Sequence, residues 1–312
     1  HRRRLRWPAA MLRLRSRHNK SDYWVSASGG WAGCVGGGMD DYVIVGGGSS
    51  GAVMAARLSE DPSVTVHLLE AGGRGDGIFA RIPMAAAAVV PGHVKSGNWR
   101  FSTVPQKGLN NRIGYQPRGR GLGGSSLINA MLYIRGHQQD YDEWAALGCH
   151  GWAWDDVLPW FRTAEDNIRG ADALHGRGGP LQVCDQNWAR PINLAFIKAS
   201  EQCGYRHNDD FNGPSQEGVG LYQATQFWQG PKRGERCSAS AAYLHDVMHR
   251  RNLTVTTEAQ VTRILVERGR AVGVVYRQGS EERIVRAGRE VILAAGALQS
   301  PHILMLSGIG PA

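Results

Sequence analysis

"YVIVGGGSSGAVMAARLSE", residues 42–60, decides the fold. Its first four residues are continuously apolar, as in a strand of a parallel sheet covered on both faces. Gly46, Gly48 and Gly51 follow at G-x-G-x-x-G spacing, with Ser49 and Ser50 inside the motif, and the pattern then becomes helical. Gly46 permits a sharp turn, Gly48 lets the backbone approach a pyrophosphate, and Gly51 lets helix and strand pack closely. The helix N-terminus would offer unpaired N–H groups and a partial positive charge to phosphates.

Alone, such a spacing is a weak signal; here its required context is present. A second strand pattern, "VTVHLL" at 64–69, ends at Glu70, nineteen residues after Gly51 and next to Ala71. That carboxylate is placed to accept hydrogen bonds from a ribose diol, and it would repel the extra phosphate of NADP. The loop by itself does not separate NAD from FAD.

A second loop makes that separation. "GRGLGGSSLINAMLYIRG", residues 119–136, carries five glycines and two serines and then turns apolar. FAD is longer than a nicotinamide dinucleotide needs to be served by one loop, and its flat isoalloxazine requires a platform. Gly121, Gly123 and Gly124 permit close backbone approach, flanked by Arg120 and Leu122. Ser125 and Ser126 can donate to phosphate or ring oxygens. Asn129 and the backbone N–H groups of the following run can meet the flavin edge.

Composition narrows the rest. The 312 residues are 42 % apolar and 20 % charged, ordinary for a globular protein, but 42 glycines are nearly twice the usual share. The net charge of +9 suggests a nucleic-acid partner, yet seven Arg, one Lys and one Asp in residues 1–38 hold +7 of it. The remaining body carries +2, so nucleic-acid binding is not expected. Five scattered cysteines form neither a disulfide framework nor a zinc site, and reduced thiols in the cytoplasm are the expectation. The longest apolar stretch, "PMAAAAVVP", is too short to span a bilayer, leaving at most a peripheral membrane contact. Residues 1–38 are Arg-rich and acid-poor, and Met39 opens the first strand. They are read as a disordered or non-native extension, with a mitochondrial transit peptide as the alternative.

At this point the residues resemble a known family. "GRGLGGSSLINAMLYIRG" is similar to the first signature of the glucose–methanol–choline (GMC) oxidoreductases, and "GALQSPHILMLSGIG" at 296–310 to the second. "DYDEWAALGCHGWAWDDVLPWFRTAEDN", "LHGRGGPL", "DFNGPSQEGVGLYQATQ" and "RCSASAAYL" resemble family segments in order and spacing. The likeness runs from Met39 to the end and is nearest the choline and aliphatic-alcohol dehydrogenase branch.

The resemblance implies FAD as cofactor, an α/β Rossmann-like FAD-binding domain, and a discontinuous α+β substrate domain that is incomplete here. It places Gly46, Gly48, Ser49, Ser50 and Gly51 on the pyrophosphate and Glu70, followed by Ala71, on the adenosine ribose. Arg120, Gly121, Leu122, Gly123, Gly124 and Ser125 fall beside the phosphates and flavin. Asn129, Ala130, Met131 and Leu132 fall against the isoalloxazine, Val261 at the adenine, and Ala295 and Gly296 at a turn closing on the cofactor. Where some members attach FAD covalently through histidine, this chain has Ile128, so the flavin is expected to be held non-covalently. The implied activity is oxidation of a small-molecule alcohol to an aldehyde, with hydride passing to flavin N5 and a quinone, another carrier or oxygen as electron acceptor. The family's catalytic histidine, with its His or Asn partner, lies C-terminal to the second signature, so no catalytic residue is assigned and the chain itself is expected to be inactive. A non-catalytic FAD-binding fragment, or a redox-neutral lyase or photoenzyme on the same fold, are the alternatives.

The expected organisation is an FAD-binding domain from 39–139 and 236–312, interrupted by a substrate-side or lid insertion at 140–235. The remaining elements read as a helix at 239–250, strands near 253–257, 260–266, 271–277 and 282–293, and a helix near 300–306. Tryptophans 144, 152, 154 and 160 read as core and lid packing. His67 reads as structural. His245 and His249 fall on one face of the expected helix without a third ligand, and His302 belongs to the second signature without being its base.

Overall fold

In the computed structural model, which describes residues 38–94, 97–186 and 188–311, the first strand starts at Met39 and runs to Val45. Apart from Gly38, the extension read over 1–38 lies outside the described residues. The strands are β1 (Met39–Val45), β2 (Val66–Leu69), β3 (Leu253–Thr256), β4 (Ala259–Glu267), β5 (Arg270–Gln278) and β6 (Glu281–Leu293). They form one sheet in the order β4-β5-β6-β1-β2-β3. β6, β1, β2 and β3 are mutually parallel, and β4, β5 and β6 form an antiparallel meander. β6 belongs to both arrangements: its first half pairs with β5 and its second half, from Arg286 to Leu293, with β1.

Alternation along β1 splits its side chains between two cores. Val43 and Val45 join Leu69, Val261, Val274 and Ile303 on one face. Ile44 joins Val66, Leu68, Leu122 and Leu253 on the other, with Ala52 and Ala55 from helix α1 (Ser49–Leu58). Ile44, Val66 and Leu68 are fully buried, each contributing about 1.5–3 kcal/mol by leaving water. The small buried residues of α1 let it lie close to the sheet, and Gly51 is the closest point. A Cβ there would sit 1.9 Å from the Gly46 carbonyl oxygen.

Between these parts the chain forms α2 (Gln138–Ala146), α3 (Trp154–Ala164) and α4 (Pro191–Gln202), with short strand pairs such as Glu165–Asn167 against Leu181–Val183. Tyr141 is the buried centre of an aromatic cluster with Trp144, Trp154 and Phe161. Trp144 and Trp152 also meet edge-to-face but stay 47 % and 41 % exposed, so the aromatic stretch is only partly core.

Three expectations need correction. The helix read at 239–250 is a five-residue π-helical stretch, Ser240–Leu244, followed by turns. Its leading N–H groups go to side chains, Ala239 N–H to Ser126 Oγ and Ala241 N–H to Ser238 Oγ, so serines compete with a regular ladder. His245 and His249 therefore share no helix face. The long loops read up to residue 118 contain short helical pieces at 78–81, 83–85 and 86–89. The last helix, α5 (Gly296–Leu306), begins four residues before the expected start.

Candidate functional site

The C-terminal ends of β1, β2 and β6 open onto a cleft of about 490 Å³, the place where open parallel sheets bind ligands. Two helices start at its rim. α1 begins after Gly48 and α5 after Ala295, and neither N-terminus has a side-chain cap. Their first-turn N–H groups are therefore free to serve an anion.

Glu70 stands at the junction of the two glycine loops. Its carboxylate is 6 % exposed and accepts three backbone N–H groups: Gly47 at 2.8 Å, Gly72 at 2.8 Å and Gly121 at 3.0 Å. Burial pushes the carboxyl above its ordinary pKa, while the three amides and the Arg120 guanidinium pull against that rise. The loops also bond directly, Gly123 N–H to Gly47 O at 2.7 Å and Leu122 N–H to Gly73 O at 2.9 Å. Gly124, at φ +54°, lies so near Gly48 that a Cβ on it would be 2.7 Å from the Gly48 Cα. Two loops distant in sequence thus form one surface. A carboxylate offers about four lone-pair sites, so at most about one remains for a ribose hydroxyl where the sequence reading used a pair.

Most of the residues singled out in the sequence meet here. Gly46, Gly48, Ser49, Ser50, Glu70 and Ala71 line one side of the cleft, with Gly124 and Ser125 beside them. Val261, Ala295 and Gly296 line the other side. Gly51 sits beneath, holding α1 to the turn, and Gly121, Leu122 and Gly123 are buried in the loop junction. Arg120, expected beside the phosphates and flavin, does not itself line this cleft. It stacks on Trp99 at 4.8 Å, donates to Ala71 O at 3.0 Å, and lines a neighbouring cavity of about 350 Å³. Asn129 to Leu132 lie outside the cleft wall at exposed or half-buried positions.

Sequence reasoning missed Trp99 and Arg118, which line the cleft, and Arg236, which holds the Asn129 loop. The pattern "NWR" before the second glycine loop was an available signal for Trp99; the family-like segment "RCSASAAYL" begins at Arg236 but carried no sign of the loop that this arginine holds. Of the histidines, His67 is engaged by Asp40 and Thr256, and His207 by Glu201 and Asp209. Among the described residues no histidine lines the cleft, and no cluster of metal-ligating side chains is present.

A doubly bonded glycine platform at the switch between parallel strands defines a dinucleotide-binding fold. The sequence matches the GMC oxidoreductase family over residues 40–312, and the chain belongs to that family. It is 45 % identical over 277 residues to the alcohol dehydrogenase [acceptor] of Pseudomonas putida, covering 88 % of this chain and 49 % of that one. It is 44 % identical over 276 residues to the mitochondrial choline dehydrogenase of Homo sapiens, covering 87 % and 46 %. The fold superposes on the crystal structure of pyridoxine 4-oxidase from Mesorbium loti with a TM-score of 0.81 at 37 % identity, covering 87 % and 52 %. The chain thus spans about half the length of the curated relatives it matches.

Proposed function

We propose that this chain is the cofactor-binding half of an FAD-dependent oxidoreductase that converts a small primary alcohol, choline-like, aliphatic or aromatic, to its aldehyde. The observation that carries the reading is the Glu70 junction, which fuses two glycine loops into a platform longer than a nicotinamide cofactor needs. The uncapped starts of α1 and α5 suit a pyrophosphate, and the missing side chains of Gly48 and Gly124 leave backbone where phosphates approach. In this reading Glu70 offers its remaining lone pair to the ribose and Val261 meets the adenine. Gly124 and Ser125 lie beside the phosphates and flavin, and residues 129–132, beyond the cleft wall, carry the ring. Ile128 has no nucleophile to offer, so the flavin is held non-covalently.

When bound, FAD supplies the hydride acceptor at N5. This chain's residues bind and orient it. The base that takes the hydroxyl proton is proposed to lie in the half that the relatives have and this chain does not span, since among the described residues no histidine lines the cleft. A quinone, another carrier or oxygen is the proposed acceptor. We place the protein in a reducing compartment, the cytoplasm. Cys149, Cys184, Cys203 and Cys237 are unbridged, and burial pushes the Cys184 and Cys237 thiols up to about 11 and about 12.

Anaerobic stopped-flow mixing tests this division. The FAD-loaded 312-residue chain is expected to show no bleaching by choline, benzyl alcohol or butanol, because loss of a positioned base alone costs about 10²–10⁴ in rate. Joined to the C-terminal half of the Pseudomonas putida relative, it is expected to bleach with an alcohol. Rapid bleaching of the chain alone would place a working base within it. A flavin-loaded chimera reduced by dithionite but by no alcohol would contradict the alcohol reading.

A further inference from the structure

Arg236 is 2 % exposed and has no carboxylate among its hydrogen-bond partners. All of its side-chain hydrogen bonds leave from Nη1, to Asn129 Oδ1 at 2.7 Å, Asn129 O at 2.7 Å and Ser126 O at 3.3 Å. Nε and Nη2 are buried without partners. Burial pulls its pKa down to about 10, which still leaves it charged at neutral pH. A buried, unneutralised guanidinium is a costly element, and everything it holds belongs to the loop 126–129.

The orientation of the Asn129 amide follows from its neighbours. Oδ1 is approached by two donors, Arg236 Nη1 and Met131 N–H at 3.1 Å. Neither can accept, so the carbonyl end must face inward and the Nδ2 amine outward, where Asn129 is exposed. The same oxygen holds the following turn. Met131 adopts φ +62°, a left-handed conformation rare for a side chain of this kind, and its carbonyl is gripped by Thr225 N–H at 2.8 Å.

We propose that Arg236 is a positioning residue: it clamps the Asn129 carbonyl so that Asn129 Nδ2 is presented as a fixed hydrogen-bond donor to an acceptor atom of the flavin ring. This rests on the FAD reading above and adds the group that aims one end of the platform. The donor is pre-organised at no rotamer cost, because the arginine behind it permits one orientation of the amide only.

Asn129→Asp separates this role from simple structural support. An aspartate keeps the acceptor that Arg236 and Met131 use and neutralises the buried cation, but it removes the outward donor and leaves a carboxylate oxygen there. The apo form of Asn129→Asp is expected to melt no lower than wild type. Its FAD dissociation constant, read by fluorescence quenching, is expected to rise at least tenfold, and the reduction potential of its bound flavin to fall. Arg236→Met is expected to lose both melting temperature and FAD affinity. Asn129→Asp with wild-type FAD affinity and potential would overturn the presented donor, and a melting temperature several degrees lower would overturn the clamp. A wild-type chain that takes up no FAD would instead overturn the FAD reading on which this one rests.

Discussion

Replacing Glu70 by alanine is expected to cost about 3–6 kcal/mol of stability and more than a hundredfold in FAD affinity. The magnitude comes from the amides of Gly47, Gly72 and Gly121, which all lose their acceptor while buried. A buried donor left unsatisfied costs roughly 1–3 kcal/mol, and water entering from the adjoining cleft recovers part of that loss. Affinity falls because the two loops are no longer held as one surface; about 2.7 kcal/mol is already a hundredfold. Glu70→Gln is the sharper variant. Its amide oxygen can still serve Gly72 and Gly121, but its NH₂ then faces the Gly47 N–H, donor against donor. It is expected to fall between wild type and alanine in both denaturant midpoint and FAD binding. An alanine variant with wild-type midpoint and affinity would show that the loops hold together without the carboxylate.

The second large effect is expected away from the cofactor cleft, at the ion pair of Arg135 and Glu165. The two side chains are 2.8 Å apart and 2 % and 0 % exposed. Glu165 also accepts from Asn167 Nδ2 at 2.8 Å and from Gly176 N–H at 2.9 Å, while Arg135 donates to Leu174 O at 2.6 Å. Removing one partner of a buried pair leaves an uncompensated charge and costs about 3–5 kcal/mol. Glu165→Ala should therefore lower the melting temperature by about 6–15 °C in a domain of this size. The double variant Arg135→Met, Glu165→Leu is expected to recover much of that loss, because apolar replacement of a whole buried pair is often neutral or better. Denaturant unfolding of the single and double variants measures both. A loss below about 1 kcal/mol in Glu165→Ala would mean that water or a neighbour neutralises Arg135.

These two sites differ in how far the sequence revealed them. The first glycine loop was legible because close backbone approach has one chemical solution, and the spacing of Gly46, Gly48 and Gly51 states it. β4, β5 and β6 were legible from apolar periodicity, with bounds within a residue or so of those observed. Glu70 was legible as a strand-end carboxylate, but its three amides come from residues 47, 72 and 121, and only the folded chain brings those together. Glu165–Asn167 offered nothing to read as a strand, since three polar residues in a row carry no period, yet all three are buried in one. The segment "RCSASAAYL" was legible as a family resemblance, but the burial of its Arg236 was not, because an arginine in "ERCSAS" looks like a solvated one. The 239–250 stretch misled because its apolar spacing suits a helix while its serines offer the backbone other partners.

The most direct test of the platform is a titration of the purified apo chain with FAD, followed by flavin fluorescence and then by acid precipitation. One FAD per chain is expected to bind with a dissociation constant in the micromolar range or below, about −8 kcal/mol or tighter. The flavin should be released into the acid supernatant, and NADH should neither bind nor compete. A chain that binds NADH and takes up no FAD would contradict the assignment of the two glycine loops to a single flavin cofactor.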